Sequence, residues 1–200
     1  MIKSTARLMR ERGVEATSFA DVVAHSGAPR GSIYHHFPGG KAQLVEEATR
    51  YGGDFIAAGM AAALEEDDPL SALDDFAEYW RTSLIRSDFS AGCPVAAAAI
   101  EGDQNPAARE AAGQAFNRWE QLFARALQRK GVARARARSL ATTLVAAIEG
   151  AIILARAQRS GVPIERVAHE LHTSLRDALG ENLPSSARAS RRRPGRASSD

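Results

Sequence analysis

Between Thr17 and Leu44 the chain gathers side chains suited to holding a polyanion: Thr17, Ser18, Arg30, Ser32, Tyr34, His35, His36 and Lys41. Hydroxyls, imidazoles, an ammonium and a guanidinium are the donors that phosphate oxygens accept from, and a guanidinium also reads guanine edges bidentately. Pro29 and Gly31 stand among them. The proline fixes a backbone angle, and the glycine omits a side chain where a backbone must come close. Catalytic chemistry has no comparable cluster. The sequence holds no HExxH, no CxxC, no GxSxG and no phosphate-cradling glycine loop before a helix, so no catalytic residue is assigned and the chain reads as a non-enzyme. His169 and His172 lie three apart without an acid or cysteine to complete a ligand set, so no metal and no cofactor are expected.

The cluster needs two helices to position it. Ser18 has the type of an N-cap, and Asp21 sits where a capping box places its acid. Phe19, Val22 and Val23 give apolar positions at helical spacing, and Gly27 suits the left-handed exit of that helix. Pro29 is placed to open a second helix reaching Phe37. Two helices joined by a short glycine-containing turn form a helix-turn-helix, whose second helix enters the major groove of DNA. Ile33 and Phe37 lie four apart and face inward, leaving Arg30, Ser32, Tyr34, His35 and His36 on the outer side. Arg30 is the best base reader; Tyr34, His35 and Lys41 suit phosphates, helped by the dipole of a helix opening at Lys41. The competing reading is a plain helical hairpin with solvated histidines.

The run TSFADVVAHSGAPRGSIYHHFPGGKAQL resembles the DNA-binding domain of TetR-family transcriptional regulators through Thr17-Ser18, Asp21, Ser26-Gly27, Gly31-Ser32, Tyr34, His36-Phe37, Lys41 and Leu44. Ala28-Pro29 stands where that family usually has a small polar N-cap. GAPRGSIYHHFPGGK together with the later GCPVAAAA is similar to the LmrA/YxaF-like branch of drug- and flavonoid-responsive repressors. The resemblance implies a homodimer on palindromic double-stranded operator DNA, an unknown small apolar or aromatic effector, and a bacterial cytoplasmic location. It also implies pairing of the helices 133–159 and 163–180 with their two-fold mates.

Composition sets the outer bounds. Two hundred residues with 44% hydrophobic and 25% charged side chains suit a globular chain of one or two domains. No run approaches a membrane span, no secretory signal is evident, and one cysteine excludes an intrachain disulfide, which fits a reducing cytoplasm. Net charge is only +2. Residues 181–200 carry five arginines against Glu181 and Asp200, a local +3, whereas residues 1–50 carry seven basic and five acidic groups, again +2. The DNA reading therefore rests on the motif rather than on charge. The Arg-rich segment also admits an alternative function, an effector-independent architectural DNA binder.

Helical punctuation continues to the end. A first helix covers residues 3–12 and Gly13 stops it; so few residues precede it that no minor-groove arm is expected. From Lys41 a long helix runs towards Leu64, with a kink or break expected at Gly52-Gly53. Pro69, Pro94, Pro106 and Pro163 open further helices, and Gly131 and Gly180 close two of them. The expected fold is all-α with about nine helices. Residues 1–50 would form the three-helix DNA-binding domain, 51–180 a helical ligand-binding and dimerisation domain, and 181–200 a disordered tail. Phe76, Tyr79, Trp80, Phe116, Trp119 and Phe123, with Met60 and Cys93, either line a pocket, as the resemblance suggests, or simply fill a core. Cys93 precedes a helix N-terminus, which would lower its pKa as in a redox sensor; a small buried thiol is the other reading.

Overall fold

Glycines and prolines cut this chain into helices, and the cuts fall where their backbone preferences direct. A computed structural model describes residues 1–29, 31–65 and 68–180. Among them lie nine α-helices and no strand. The helices are α1 (Ile2–Arg12), α2 (Phe19–Ser26), α3 (Ser32–His36), α4 (Gly40–Glu65) and α5 (Pro69–Arg86), then α6 (Pro94–Ile100), α7 (Pro106–Arg129), α8 (Arg134–Gln158) and α9 (Val162–Leu179). Pro69, Pro94, Pro106 and Pro163 each sit in a first turn, where a missing N–H costs nothing. Gly27 and Gly180 close helices in the left-handed conformation. The Arg-rich segment 181–200 lies outside the described residues.

Two apolar clusters result. The small one joins Leu8, Val22, Ile33, Phe37 and Leu44, and so ties α1, α2, α3 and the start of α4. The large one spans α4 to α9 and also takes Ala6 and Met9 of α1 and Val45 and Ala48 of α4. The two helices α1 and α4 therefore serve both clusters. A boundary drawn near residue 50 falls inside an unbroken helix.

That helix corrects an expectation. Gly52-Gly53 does not break α4, which runs through all 26 of its residues. The glycines let other helices approach closely: a Cβ added at Gly52 would lie 2.9 Å from Pro94 Cγ, and one at Gly53 would lie 2.6 Å from Ala115 Cβ. Beside this contact the buried Trp119 indole donates to the Gly53 carbonyl at 3.0 Å. Tertiary packing outweighs the propensity cost of about 1 kcal/mol per glycine.

A second tie joins the two clusters at Asn105. A 3-10 turn (Gly102–Gln104) follows α6 and leads into Asn105, whose side-chain oxygen accepts from Ala108 N–H at 3.2 Å as the cap of α7. Its amide donates to the Ala42 carbonyl in α4 at 3.1 Å. Contrary to the expectation above, one helix, α8, is long and apolar enough by length and composition to cross a membrane. Its Leu140, Leu144, Ile148 and Ile152 are buried in the large cluster, while Ile153 and Leu154 remain exposed.

Replacing Gly53 with alanine tests the α4–α7 seam. The added methyl meets the Ala115 side chain and the backbone behind it, so urea unfolding should show a loss of about 1–3 kcal/mol despite the better helix propensity. Gly113→Ala, where a Cβ meets nothing within 4 Å, should be neutral or slightly stabilising.

Candidate nucleic-acid interface and ligand cavity

The turn between α2 and α3 is built from local hydrogen bonds. Ser18 closes a reciprocal capping box: its hydroxyl accepts from Asp21 N–H at 3.2 Å, and the Asp21 carboxylate accepts from Ser18 N–H at 3.1 Å. The Ser18 hydroxyl also donates to the Asp21 carboxylate at 2.6 Å, and this bond, then the Ser18 N–H and nearby Arg12, hold the Asp21 carboxyl below its usual range. Gly27 then takes φ 67°, and its amide donates to the Val23 carbonyl. Pro29 does not open a helix as expected. Its carbonyl accepts from both Ser32 N–H and Ser32 Oγ, forming a turn, and α3 covers only Ser32–His36. Arg30, the expected base reader, lies outside the described residues.

Within α3, Ile33 is buried in the small cluster while Tyr34, His35 and His36 are exposed. Tyr34 is 67% exposed, yet its ring packs edge-on against Phe19 of α2 at 5.6 Å, which fixes its direction. Lys41 is held from behind, donating to the Glu15 carbonyl at 3.0 Å. Pro29, Gly31 and Ser32 lie in the α2–α3 turn and at the start of α3, Ser18 caps the other end of α2, and all four are at least partly exposed. Thr17 requires a correction. It is buried, and its hydroxyl donates to the Gly13 carbonyl at 2.7 Å, so it braces the loop instead of facing outward.

In the body, three adjoining cavities run between α4, α5 and α1. An apolar slot of about 290 Å³ is lined by Phe55, Ile56, Gly59, Met60, Ala63, Ala72, Asp75, Phe76 and Tyr79. A bend of about 220 Å³ shares Phe55, Ile56 and Tyr79 with it and adds Trp80, Pro94, Lys3, Arg7 and Arg10. A polar bay of about 480 Å³ shares Arg7, Arg10 and Tyr79 with the bend and adds Ser83 and Arg86. Of the aromatic residues singled out in the sequence, Phe76, Tyr79 and Trp80 line these cavities, together with Met60. Phe116, Trp119 and Phe123 do not: they belong to the α7 face packed in the large cluster, with Trp119 and Phe123 wholly buried. Sequence reasoning missed Phe55 and Ile56, legible only as apolar positions on α4, and the arginines of α1 and α5.

Of the two readings of Cys93, the structure shows the small buried thiol. It caps α6 through the backbone but is buried, and burial together with the Glu149 carboxyl pushes its thiol well above the ordinary range. A thiol held protonated is a poor nucleophile. Glu149 keeps part of its surface exposed, but its carboxyl is enclosed beside Cys93 and is pushed up to about 7 by desolvation. His172 lies 3.6 Å from Asp74. Among the described residues no three metal-ligating side chains converge.

A short exposed helix, presented by a capped helix and a left-handed glycine turn on an all-helical body, defines a helix-turn-helix regulator. Residues 1–48 match the family model of bacterial regulatory proteins of the tetR family, and residues 69–170 match the C-terminal domain of LmrA/YxaF-like transcriptional regulators. The chain belongs to the TetR family of DNA-binding transcriptional regulators. It is similar to the HTH-type transcriptional regulator Rv0196 of Mycobacterium tuberculosis, at 42% identity over 94% of this chain and 96% of that one. It is also similar to YxaF of Bacillus subtilis, at 30% identity over 88% and 93%, and to LmrA of the same organism, at 29% over 84% and 90%. Its fold resembles the regulatory protein TetR from Rhodobacter sphaeroides with a TM-score of 0.77 at 22% identity, covering 86% of this chain and 95% of that one.

Glu149 makes stability depend on pH in a defined direction. Its carboxyl is raised in the folded state, so folding takes up a proton between about 4.5 and about 7. Stability is therefore full below about 4.5 and falls as pH rises towards 7, by up to about 3 kcal/mol. Asp21, Glu78 and Asp88 are lowered and act in the opposite sense, but below that window. Urea unfolding from pH 4.5 to 8 should show the decline in the native chain, and Glu149→Gln should flatten it.

Proposed function

We propose that the chain is a homodimeric repressor that holds a palindromic operator and releases it when a small molecule with an apolar or aromatic body enters the α4–α5 cavity. The observation that carries this reading is the continuity of α4. One unbroken helix carries Leu44 in the core under the recognition helix and Ile56 and Met60 in the cavity wall. A ligand that prefers one position of α4 thereby selects one position of α3. Operator and ligand must then weaken each other by the same factor.

In this reading Arg30 reads a base edge, and Ser18, Pro29, Gly31, Ser32, Tyr34, His35, His36 and Lys41 approach phosphates or base edges around it. Half-sites lie about 34–36 Å apart or a multiple of that, so two chains must pair. The exposed Ile153 and Leu154 of α8 and Val162 of α9 suit that pairing. Residues 1–50 act as reader and 51–180 as sensor.

Footprinting on the upstream region of the chain's own gene tests the reader. Tyr34→Ala should weaken operator binding by about tenfold or more, and Lys41→Ala should weaken it on all sequences while reducing the salt slope by about one. Both should melt within a few degrees of the native chain. The pairing is checked by sedimentation: Ile153→Glu with Leu154→Glu should give a monomer that has lost operator protection. A monomeric native chain, or ligand affinity unchanged by saturating operator, would overturn the proposal.

A further inference from the structure

The three cavities adjoin through shared walls, and the outer two differ in chemistry. The slot end is apolar, with Phe55, Met60 and Phe76 on its walls. The bay end is cationic. Arg7 is paired with Glu11, and Glu78 is held by Arg81 and Thr82. Among the described residues, neither Lys3, Arg10 nor Arg86 has a carboxylate partner. Arg10 donates instead to the Gly92 carbonyl at 3.0 Å and to Ser83 Oγ at 2.6 Å, and its guanidinium stands 5.9 Å from the centre of the Trp80 ring.

Trp80 supplies an independent observation. It walls the bend between the two ends, is 1% exposed, and carries a buried indole N–H with no hydrogen-bond partner. A buried donor left unpaired is destabilising, and an acceptor brought within its reach relieves that. Trp119, the other tryptophan, has its partner within the protein. Cations without carboxylate partners along the bay and the bend, a tryptophan with an unpaired donor in the wall between, and an apolar slot beyond are complementary to one kind of molecule.

We infer that the effector site takes an amphipathic organic anion, a carboxylate whose apolar body lies in the α4–α5 slot and whose charged end reaches Arg10, Arg86 and Lys3. The inference rests on the ligand-responsive reading above and narrows its ligand class. Arg10 and Lys3 belong to α1, which packs under the recognition helix through Leu8. The anion therefore bridges the sensor and the reader, and its charge is the part that α1 feels. A neutral apolar molecule fills the slot without touching α1.

Calorimetry with decanoate, decan-1-ol and decyltrimethylammonium, all below micelle-forming concentrations, tests the charge preference on the full chain. Decanoate should bind at least about tenfold more tightly than decanol, with the cation weakest. Arg86→Ala and Lys3→Ala lie on the surface and should bring decanoate towards decanol while leaving decanol unchanged. In nitrogen-15 spectra of the native chain, decanoate should move the Trp80 indole signal and spare that of Trp119. Equal affinity for decanoate and decanol, no binding of decanoate, a preference that survives both substitutions, or a Trp80 signal that stays put would each overturn the inference. Operator release by a neutral aromatic compound, with decanoate inert, would overturn the anion and leave the regulator reading standing. Decanoate bound as described without any change in operator affinity would do the reverse.

Discussion

The seam where α4 meets α7 leaves no room for a side chain between Gly53 and Ala115, and most of the architecture depends on it. No side chain larger than hydrogen fits at Gly53 without displacing α7, and the Trp119 indole locks the same turn by donating to its carbonyl. With α4 pinned there, its N-terminal part projects towards the reader and its C-terminal part faces α5 across the slot. Asn105 repeats the tie one helix end away, joining the cap of α7 to the Ala42 carbonyl. A helix fixed in its middle and free at neither end transmits a displacement instead of absorbing it.

The reader cannot stand alone. Five buried side chains are too few to hold three helices against chain entropy, so the small cluster borrows α1 and α4, which are anchored in the large one. Recognition depends on this geometry more than on charge, since the first fifty residues carry a net of only +2. Tyr34 illustrates the point: an exposed ring, aimed by its edge contact with Phe19. Lys41 is likewise aimed by a backbone carbonyl. Both side chains have thereby lost part of their rotamer freedom, which under the proposed contacts lowers the entropy cost of binding DNA.

What the sequence made legible was local. The capping box at Ser18, the exit at Gly27 and the proline starts all follow from backbone chemistry within a few residues, and the all-α fold follows from them. The errors came where a distant partner decides. Gly52-Gly53 reads as a weak point until Pro94 and Ala115 are seen against it. Cys93 admits both an activated and a buried thiol until its place beside Glu149 is known. Aromatic residues recur at helical spacing on both α5 and α7, yet those of α5 line the cavities described above while those of α7 pack into the large cluster, where α7 meets α4. Pro29 was misplaced for a local reason: Ser32 bonds the Pro29 carbonyl twice and delays the helix.

A further link joins α1 to α8 without passing through α4. The segment after α5 places Asp88 and Phe89 in left-handed backbone at φ 51° and 59°, a conformation that costs non-glycine residues on the order of 1 kcal/mol each. Asp88 is held there by Arg159 at the end of α8, itself left-handed, through a 2.6 Å ion pair. A few residues on, Gly92 exchanges hydrogen bonds with Arg10, its N–H donating to the Arg10 carbonyl at 2.6 Å and its own carbonyl accepting from Arg10 Nε. Arg156 of α8 reaches the Glu11 carbonyl beside it. The C-terminal end of α8 thus grips the C-terminal end of α1 through a strained loop. Strain of this kind persists only where surrounding contacts over-determine it, and those contacts come from both parts of the chain. A coupling of 1–3 kcal/mol is typical between regulatory sites. Two or three such hydrogen bonds, made in one arrangement and loosened in another, are enough to supply it.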